Sequence, residues 1–388
     1  MTTGQALGVT ALIDETYARV RRDYGAAIGR HRTELVTPAL VLDLHAAKRN
    51  IARMAATLRD LPTEIRPHIK VHKSPDLGRL QVEAGAIGLS VATVWEAIVF
   101  ARSGLDHVFV VNTVAGPAKM RALAELARDV DLMVAIDDAS NAADLAGAAR
   151  AAGSTLGVLI EVDDGMDRCG VDTPEAAVAL ARAVVKMKGL DLRGVTGYEG
   201  HCSLTPARTL RHKRERTAMA MFVGIAELLE SAGIPCPIRS AGGTATWDWT
   251  AAYPGITEIQ AGTYLVMDNF HGAMVGGFEH SLTVQATVIS RPPDRVILDA
   301  GNKSMGAGEM ASIVGHGEVP FRFDEEHGIF AATSGTSLKI GDSVALVPGY
   351  SPSTVNWYDA FHVVEDDVVV DIWPVIPRGP GHHGLVAG

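Results

Sequence analysis

The chain contains few cysteines and no long apolar run. Its 388 residues include three cysteines, Cys169, Cys202 and Cys236, which are widely spaced and form no CxxC pair. This spacing argues against a disulfide framework or a structural zinc site and is typical of a reducing compartment. No stretch of about 18 uninterrupted apolar residues is present, which argues against a membrane span. Residues 1–25 contain no apolar segment of signal-peptide length, so we expect a cytoplasmic protein.

The chain also lacks an excess of positive charge. Its formal net charge is -10, and a short basic cluster at residues 211–216 lies in a helix-like pattern. Such a cluster favours a solvated helix face over a phosphate site, and we therefore expect no nucleic-acid partner. Hydrophobic residues make up 47% and charged residues 21% of the chain, which is typical of a globular protein with a substantial core.

Short runs rich in Val, Ile and Leu alternate with Ala-rich helical patterns from residue 38 onward. The runs cover residues 39–44, 88–91, 107–111, 132–136, 156–162, 192–197, 238–240 and 256–259. Apolar runs separated by helices predict parallel strands that are buried on both faces. About eight such units over about 240 residues favour a (β/α)8 barrel over a doubly wound sheet, although periodicity alone does not exclude the latter.

The pattern changes after about residue 276, where strands and turns replace helices. The segments that read as strands cover residues 280–290, 294–299, 343–347 and 368–374. A helix over residues 11–29 precedes the barrel and is expected to pack outside it. We therefore predict a helical extension over residues 1–36, a barrel over residues 37–275 and a mostly β domain over residues 276–388.

Barrel enzymes place their functional groups at the C-terminal ends of the strands. The polar strand ends are RPHIKVHK (66–73), EVDDGMDR (161–168), YEGH (198–201), SAGGT (240–244) and QAGTY (260–264). In an extended segment His68, Lys70 and His72 share one face. Desolvation and nearby cations lower the pKa of such a lysine, and a Schiff-base lysine needs a neutral amine. A solvated basic loop is the alternative interpretation.

The two small-residue turns, at residues 240–244 and 260–264, have backbone N–H groups that could cradle a phosphate. An ordinary tight turn explains each of them equally well. Two such turns beside an inward lysine make pyridoxal phosphate a connected hypothesis.

The motifs TPALVLDL, RPHIKVHK, DRCGV, GYEGH, AGGT, AGTYLVMD, DAGNK and EEHG together resemble one family, over residues 37–375. This is the D-threonine aldolase and D-serine dehydratase family of alanine-racemase-like (fold type III) pyridoxal phosphate enzymes. The resemblance implies that Lys70 forms the Schiff base, with Arg168 beside the cofactor ring and Tyr198 lining the ring and substrate pocket. His68 and His72 would tune Lys70. The residues implied around the phosphate are Gly242, Gly243, Thr244, Gly262 and Tyr264.

One departure from the family concerns its divalent metal. Metal-using members carry a His-x-Cys or His-x-Asp pair in a stretch resembling PGHxDPTxN, and the matching stretch here is PGYSPSTVN at residues 348–356. Tyr350 and Pro352 occupy the two ligand positions, and they do not form a plausible ligand pair for Mn, Mg or Zn. We therefore predict that the usual metal site is absent.

The resemblance implies a lyase that cleaves β-hydroxy-D-amino acids to glycine and an aldehyde, without the metal. GYEGH is more similar to the aldolase branch, and it makes His201 a candidate base, although neighbouring carboxylates could instead satisfy this histidine. Lys70, His201 and Tyr350 are the expected catalytic residues. An amino-acid racemase or epimerase is the second hypothesis and a dehydratase the third. The resemblance also implies a homodimer that acts on a small amino acid.

Two further hypotheses come from outside this group of reactions. A pyridoxal-phosphate carrier without turnover is the first, although the additional β domain argues against it. A barrel hydrolase that uses Glu199, Asp163 and Asp164 as its carboxylates is the second, and it would not depend on Lys70.

Overall fold

The protein contains two β-sheets, in a computed structural model that describes residues 3–306 and 310–381. In this part of the chain the strands are β1 Ala39–Asp43, β2 Glu64–Ile65, β3 Leu89–Val91, β4 His107–Thr113, β5 Asp131–Ile136, β6 Leu156–Val162, β7 Leu190–Gly197, β8 Ile238–Ala241, β9 Glu258–Ile259, β10 Leu282–Ser290, β11 Arg295–Leu298, β12 Ser312–Ile313, β13 Val319–Phe323, β14 Gly328–Ala331, β15 Ser343–Val347, β16 Ala360–Glu365 and β17 Val368–Pro374.

Helices cover most of the connections between these strands. In the same residues the α-helices are α1 Thr3–Tyr24, α2 Leu44–Leu58, α3 Pro75–Glu83, α4 Val94–Arg102, α5 Pro117–Leu126, α6 Ala139–Ala152, α7 Pro174–Val184, α8 Gly200–Ser203, α9 Arg208–Ser231, α10 Trp247–Ala251, α11 Asn269–Gly272, α12 Asn302–Met305 and α13 Ser351–Val355. Short 3-10 helices cover Gly25–Ala27, Arg32–Glu34, Ile69–Val71 and Thr263–Leu265.

Strands β2 to β9 form an eight-stranded parallel sheet in the order β2-β9-β8-β7-β6-β5-β4-β3. The two ends of this order meet, because the segment after β2 pairs with β3. His68 forms a parallel bridge with Ser90, and the Ser90 N–H donates to the Pro67 carbonyl at 3.0 Å. The sheet is therefore closed, and the predicted (β/α)8 barrel is confirmed.

Alternation along the strands fills the barrel. Val108 and Val110 of β4 belong to the large core under the helices, whereas Phe109 belongs to a second cluster with Met133 and Leu159. Successive strand residues point to opposite faces, so this second cluster occupies the barrel interior. Because apolar side chains fill the barrel interior, the polar side chains lie at the C-terminal ends of the strands.

Local sequence signals start the helices that support these strand ends. Thr93 and Glu96 form a capping box at the start of α4, and Asp138 accepts from the backbone N–H groups of Ser140 and Asn141 at the start of α6. Helices α3, α5 and α7 each begin with proline. Proline is favourable there because the backbone N–H groups of a first helical turn have no acceptor within the helix, and proline has no N–H to leave unpaired. These signals determine where the supporting helices begin.

The run at residues 39–44, predicted as a barrel strand, lies in the other sheet. It forms β1, which pairs antiparallel with β10 and parallel with β16. The barrel prediction for this run is therefore wrong. An apolar run buried on both faces fits either sheet, and periodicity does not specify its partner. The segment before β1 is held to the same sheet, since the Thr37 hydroxyl donates to Asp299 at 2.5 Å. The three-segment division of the chain stays a prediction apart from this strand.

The second sheet has nine strands and is largely antiparallel. Seven of them follow the order β13-β14-β11-β10-β1-β16-β17, while β15 pairs with β10 and β12. Four predicted strands are observed as β10, β11, β15 and β17. A mostly β domain after the barrel is therefore confirmed, and its sheet also includes a strand from the start of the chain.

The helix predicted at residues 11–29 is observed as α1, which ends earlier, at Tyr24. It packs against α4 of the barrel and β17 of the second sheet. The Tyr17 hydroxyl donates to Asp76 at 2.7 Å, and Arg19 pairs with Asp359 at 3.1 Å. This helix thus joins the two parts of the molecule from outside the barrel. Within residues 3–306 and 310–381, none of the helices combines the length and the apolar character that crossing a bilayer requires.

We expect the single variant Arg66→Met to destabilise the fold by about 3–5 kcal/mol, because it leaves a buried carboxylate without its partner. Arg66 Nε and Nη2 each lie 3.1 Å from a carboxylate oxygen of Glu258, and both side chains are buried. Urea denaturation measures the loss. The double variant Arg66→Met with Glu258→Met should lose less than the single variant. If Arg66→Met lowered the free energy of unfolding by less than about 1 kcal/mol, the Arg66–Glu258 pair would behave as an exposed ion pair, which would contradict its burial.

Candidate active site

The C-terminal ends of the barrel strands surround a cavity of about 220 Å³. Residues that follow β2, β7, β8 and β9 contribute to its lining, as barrel topology requires. The predicted site residues that line it are His68, Lys70, Arg168, Tyr198, Gly242, Gly243, Thr244, Gly262 and Tyr350. The cavity therefore brings together most of the residues that the sequence singled out, from distant parts of the chain.

Lys70 lies on a 3-10 helix and not on the extended segment that the alternation argument assumed. Residues 69–71 form this turn, and the His68 ring caps it by accepting the Lys70 backbone N–H at 3.4 Å. The turn brings Lys70 into the cavity beside His68, while His72 leaves the shared face. The shared face of His68, Lys70 and His72 is therefore a wrong prediction, because the local backbone is helical.

His72 is completely buried and does not belong to the cavity lining. Its Nδ1 accepts the Ser74 backbone N–H at 3.1 Å, so its Nε2 carries the proton and donates to Gln81 Oε1 at 3.2 Å. Burial lowers the pKa of His72 to about 4, and the ring is neutral at pH 7. In this structure His72 supports the wall of the site from behind, and its predicted effect on Lys70 stays a prediction.

The other basic residues of the segment have structural partners. Arg66 pairs with Glu258, and Lys73 Nζ lies 3.3 Å from Glu96 Oε1 and donates to the Pro377 carbonyl at 3.1 Å. All four side chains of these two pairs are buried. Lys70 and His68 are thus the two basic side chains of residues 66–73 that line the cavity.

Desolvation is the main cause that lowers the pKa of Lys70, and the nearby Arg168 guanidinium lowers it further. Glu96 acts in the opposite direction. The pKa of His68 is also well below its ordinary value, first because of burial and then because of Lys70. A neutral His68 adds no charge beside the amine, and the lowered pKa increases the fraction of Lys70 that is nucleophilic.

Tyr198 forms one wall of the cavity, next to two cations. Lys70 Nζ and the Arg168 guanidinium each lie 5.8 Å from the centre of its ring. Burial raises the pKa of Tyr198 to about 12, so the phenol is neutral. Arg168 also lies 3.7 Å from Glu161, a lining residue whose pKa burial raises to about 7. Cation, aromatic ring and carboxyl group thus converge on one side of Lys70.

Two glycine-containing turns form another part of the cavity wall. A Cβ on Gly243 would lie 2.9 Å from the Tyr198 ring, and a Cβ on Gly262 would lie 2.2 Å from the His68 carbonyl oxygen. The backbone at these two turns therefore approaches its neighbours more closely than any side chain permits. The Tyr264 backbone N–H donates to Thr244 Oγ1 at 3.2 Å and joins the two turns. Together they form a cradle of backbone groups.

The Tyr264 side chain itself is buried outside the cavity lining. Its hydroxyl accepts from Gln81 Nε2 at 2.9 Å, and Gln81 in turn accepts from His72. The structure thus places the predicted phosphate ligand Tyr264 at the cradle through its backbone, whereas its ring supports the wall behind Lys70.

The three carboxylates of the hydrolase hypothesis do not line the cavity. Glu199 lies under the first glycine turn and accepts from the Gly242 N–H and from the hydroxyls of Thr246 and Thr250. Asp163 accepts backbone N–H groups of its own loop. Burial, with help from Glu199, raises the pKa of Asp164 well above its ordinary value. These groups organise the loops around the site, which disfavours a carboxylate hydrolase.

His201 also lies outside the cavity lining. Its ring packs against Gly165, where a Cβ would lie 2.9 Å from Cε1, and its Nε2 is 3.6 Å from the Cys202 sulfur. Its buried Nδ1 has no hydrogen-bond partner among the described residues. The structure therefore does not place His201 in the lining of the cavity, and its role as a base remains an expectation.

Tyr350 does line the cavity, at one of the two positions where metal-using relatives carry a ligand. Pro352, at the other position, lies in the first turn of α13. Within residues 3–306 and 310–381, no group of three or more His, Cys, Asp and Glu side chains is arranged to hold a metal ion. The absence of a metal from the functional enzyme stays a prediction.

Several lining residues were not predicted as site residues. Asn112 and Gln260 lie at or just after strand ends, so their position in the barrel pattern was the available signal. His271 is the least expected of them, because it lies on the short helix α11 after the last barrel strand. Its signal is the spacing Asp268-x-x-His271, since an aspartate before a helix caps it and can also reach the side chain three residues later.

The residues present fit pyridoxal phosphate, the cofactor that the resemblance implies. Lys70 supplies a half-buried amine of lowered pKa, and the glycine turns supply a cradle that a Cβ would fill. Tyr198 and Arg168 provide an aromatic wall and a cation next to the amine. The residues that would hold the cofactor are Lys70, His68, Arg168, Tyr198, Gly242, Gly243, Thr244 and Gly262.

We expect Lys70→Ala to abolish the visible absorbance of the lysine-bound cofactor, because no other lysine amine lines the cavity among the described residues. Borohydride reduction of the wild type followed by peptide mass spectrometry should find the cofactor on Lys70. The matched control Lys73→Met should keep the absorbance band although it loses a buried ion pair. Cofactor attached to Lys73 in the wild type would overturn the assignment.

We expect Gly262→Ala to weaken cofactor binding at least about tenfold, or about 1.4 kcal/mol, because its Cβ would collide with the His68 backbone. Titration of the apoprotein followed by visible absorbance measures the affinity. Gly224→Ala is the matched control, since nothing lies within 4 Å of its Cβ in the middle of α9. This control should bind normally and unfold at a higher temperature. If both variants bound the cofactor with the same affinity, the glycine turns would not be part of the cofactor site.

Two family models match the chain. The alanine racemase N-terminal domain matches residues 42–270, and a putative serine dehydratase domain matches residues 281–364. The chain is 37% identical over 351 residues to a D-threonine aldolase of an Arthrobacter species, covering 88% of this chain and 93% of the relative. It is 32% identical over 388 residues to a 3-hydroxy-D-aspartate aldolase of Paracoccus denitrificans, covering 96% of this chain and 100% of the relative.

A solved structure agrees with these matches. The crystal structure of D-threonine aldolase from Filomicrobium marinum has a TM-score of 0.84 at 32% identity and covers 91% of this chain and 98% of its own. The similarity therefore extends over both sheets and the cavity between the strand ends. The chain belongs to the D-threonine aldolase and D-serine dehydratase family of alanine-racemase-like, fold type III, pyridoxal-phosphate-dependent enzymes, and it is a lyase.

Proposed function

We propose that the protein cleaves β-hydroxy-D-amino acids to glycine and an aldehyde, using pyridoxal phosphate and no divalent metal at the family's usual position. The observation that carries the cofactor part is Lys70, which lines the cavity with a lowered pKa beside the glycine cradle. The reaction and its D-stereochemistry are taken from the two aldolases to which the chain is more than 30% identical.

The chain's own residues divide the work of such a reaction. Lys70 would bind the cofactor covalently, and the two glycine turns would hold its phosphate. Arg168 and Tyr198 would orient the ring next to Lys70. When bound, pyridoxal phosphate delocalises the electron pair that remains on the α-carbon after a bond to it breaks. Tyr350 lines the same cavity and would be available to contact the substrate.

The metal-free part of the proposal rests on Tyr350 and Pro352. A phenol with a pKa raised by burial and by Asp268 is a poor ligand for Mn²⁺ or Mg²⁺, and proline has no ligating side chain. Cleavage of the Cα–Cβ bond needs only a base for the hydroxyl proton, whereas dehydration must expel hydroxide and benefits from a Lewis acid. The aldol reaction is therefore the one that these substitutions favour.

Dehydration of a β-hydroxy-D-amino acid is the second candidate, because the putative serine dehydratase domain matches residues 281–364. This domain contains the stretch with Tyr350 and Pro352. A dehydratase with this stretch would have to protonate its leaving hydroxyl without help from a metal at that position.

We further propose a cytoplasmic homodimer that acts on a small amino acid. The three free thiols support a reducing compartment. Large apolar side chains are exposed on the β domain, including Val319 at 60%, Phe321 at 65% and Trp357 at 59%. If these side chains form one patch, that patch would be the candidate surface for the dimer contact.

We expect the purified protein to convert D-threonine to glycine and acetaldehyde in D2O with pyridoxal phosphate and EDTA, as seen in a proton NMR time course. L-threonine should give no products under the same conditions. Lys70→Ala, the matched variant, should be inactive with both enantiomers because it lacks the amine that binds the cofactor.

Other products would each contradict a defined part of the proposal. Formation of 2-oxobutanoate would identify a dehydratase, and loss of only the α-proton signal would identify an epimerase. Cleavage that requires added Mn²⁺ would retain the aldolase and remove its metal independence. A wild type that cleaves no β-hydroxy-D-amino acid, with or without Mn²⁺, would overturn the aldolase assignment.

A further inference from the structure

His271 and Asp268 form a buried hydrogen-bonded pair at the cavity. His271 lines the cavity with 8% of its surface exposed, and Asp268 behind it is completely buried. Asp268 Oδ1 lies 2.8 Å from His271 Nδ1 and also accepts the His271 backbone N–H at 2.8 Å. Its other oxygen accepts the Ser351 backbone N–H at 2.8 Å. The carboxylate is therefore fixed by three contacts and in turn fixes the ring.

This arrangement determines which ring nitrogen is basic. A carboxylate accepts hydrogen bonds, so the proton of a neutral His271 lies on Nδ1 and Nε2 keeps its lone pair. A histidine oriented in this way by a buried carboxylate is the arrangement that general bases use, since the carboxylate also stabilises the imidazolium that forms. The lining therefore includes an oriented imidazole with a free lone pair.

We propose that His271, positioned by Asp268, is the general base that removes the proton from the substrate's β-hydroxyl. This role rests on the proposed aldolase function. The hydroxyl proton moves to His271 Nε2, and the O–H electron pair becomes the second bond of the aldehyde carbonyl. The Cα–Cβ bond breaks, its electron pair remains on the α-carbon, and a proton taken up there from solvent completes glycine. His271 then returns its proton to solvent, which closes the cycle.

The location of the pair supports this role. The backbone N–H that binds Asp268 belongs to Ser351, which lies between Tyr350 and Pro352. The rings of His271 and Tyr350 are nearly parallel at 19°, with centres 6.2 Å apart. The pair thus adjoins the stretch in which metal-using relatives carry their ligands. We infer that the imidazole supplies here the acceptor for the hydroxyl proton that a bound metal would otherwise acidify.

The competing groups at the cavity are less suited to this task. Burial raises the pKa of Tyr198 to about 12 and that of Tyr350 above its ordinary value, so both phenols hold their protons at pH 7. His201 does not line the cavity. Glu161 does line it, with a pKa raised to about 7, but it lies 3.7 Å from the Arg168 guanidinium. Glu161 is therefore the competitor that an experiment must separate from His271.

The test compares two reactions of the holoenzyme. Cleavage of D-threonine needs a base for the hydroxyl, whereas exchange of a glycine α-proton with D2O does not. We expect His271→Asn to lower the ratio of cleavage to exchange by about 10²–10⁴, with a fall in kcat and little change in KM. Asp268→Asn should lower the same ratio less, because the ring remains but loses its carboxylate. Glu161→Gln should leave the ratio within about threefold of the wild type.

A neighbouring histidine and an NMR measurement complete the design. His280→Asn is the matched control, because His280 contacts the Asp268 carbonyl but does not line the cavity, and its ratio should equal that of the wild type. Nitrogen-15 NMR of the wild type should show the His271 proton on Nδ1, a readout that needs no turnover. A proton on Nε2 in the neutral ring would overturn the proposal.

The outcomes separate this role from the proposed function. If the wild type cleaves D-threonine and His271→Asn keeps an unchanged ratio, the role of His271 is wrong and the aldolase remains. A ratio that falls in Glu161→Gln but not in His271→Asn would transfer the role to Glu161. If the wild type exchanges glycine protons but cleaves no β-hydroxy-D-amino acid, the aldolase assignment fails, and the role of His271 fails with it.

Discussion

Desolvation of the half-buried Lys70 at the mouth of a closed parallel barrel is the constraint on which the rest of the site depends. A charged ammonium loses hydration there, which lowers its pKa, and Arg168 lowers it further. The bridge between His68 and Ser90 closes the barrel immediately before this lysine. His68 then caps the turn that carries Lys70 into the cavity. Closure of the sheet and placement of the reactive amine are therefore one local event in the chain.

The same constraint explains the unusual density of basic groups in residues 66–73. A basic group near Lys70 would be costly to bury unless a partner neutralised it. Arg66 and Lys73 have Glu258 and Glu96, and burial keeps His72 neutral against Gln81. Each of these contacts fixes the strand end to a different neighbour: β9, α4 and α3. Most of the basic groups in residues 66–73 therefore stabilise the fold around Lys70, which is the proposed nucleophile.

The sequence was sufficient to predict the barrel and the β domain, and it located Lys70 and the two glycine turns at strand ends, where they line the cavity, because strand ends and glycine positions follow from local pattern. The roles of these residues toward the cofactor stay predictions. It did not predict the sheet of β1, since two sheets can both accept the same buried apolar run. It also named His201 as a candidate base, although His201 does not line the cavity, and it assigned His72 to the cavity by assuming an extended backbone. His271 had no predicted catalytic role, because its position depends on a contact with Asp268 and on which loops meet at the cavity, and neither is visible in a linear pattern.

The stretch at residues 348–356 contains Tyr350 and Pro352 at the metal-ligand positions of the family and also contacts the Asp268–His271 pair. A metal and an imidazole can both assist loss of a hydroxyl proton, the metal by lowering the hydroxyl pKa and the imidazole by accepting the proton. Only the metal also stabilises a hydroxide that leaves. In the proposed metal-free site Tyr350 and Pro352 stand at the two ligand positions, while the backbone N–H of Ser351 between them binds Asp268, which in turn contacts His271. If the site works without the metal, as proposed, it would lack the group that dehydration needs most and keep an imidazole that is enough for Cα–Cβ cleavage. The choice between the two reactions would then depend on proton acceptance at the β-oxygen, with the chemistry at the α-carbon common to both.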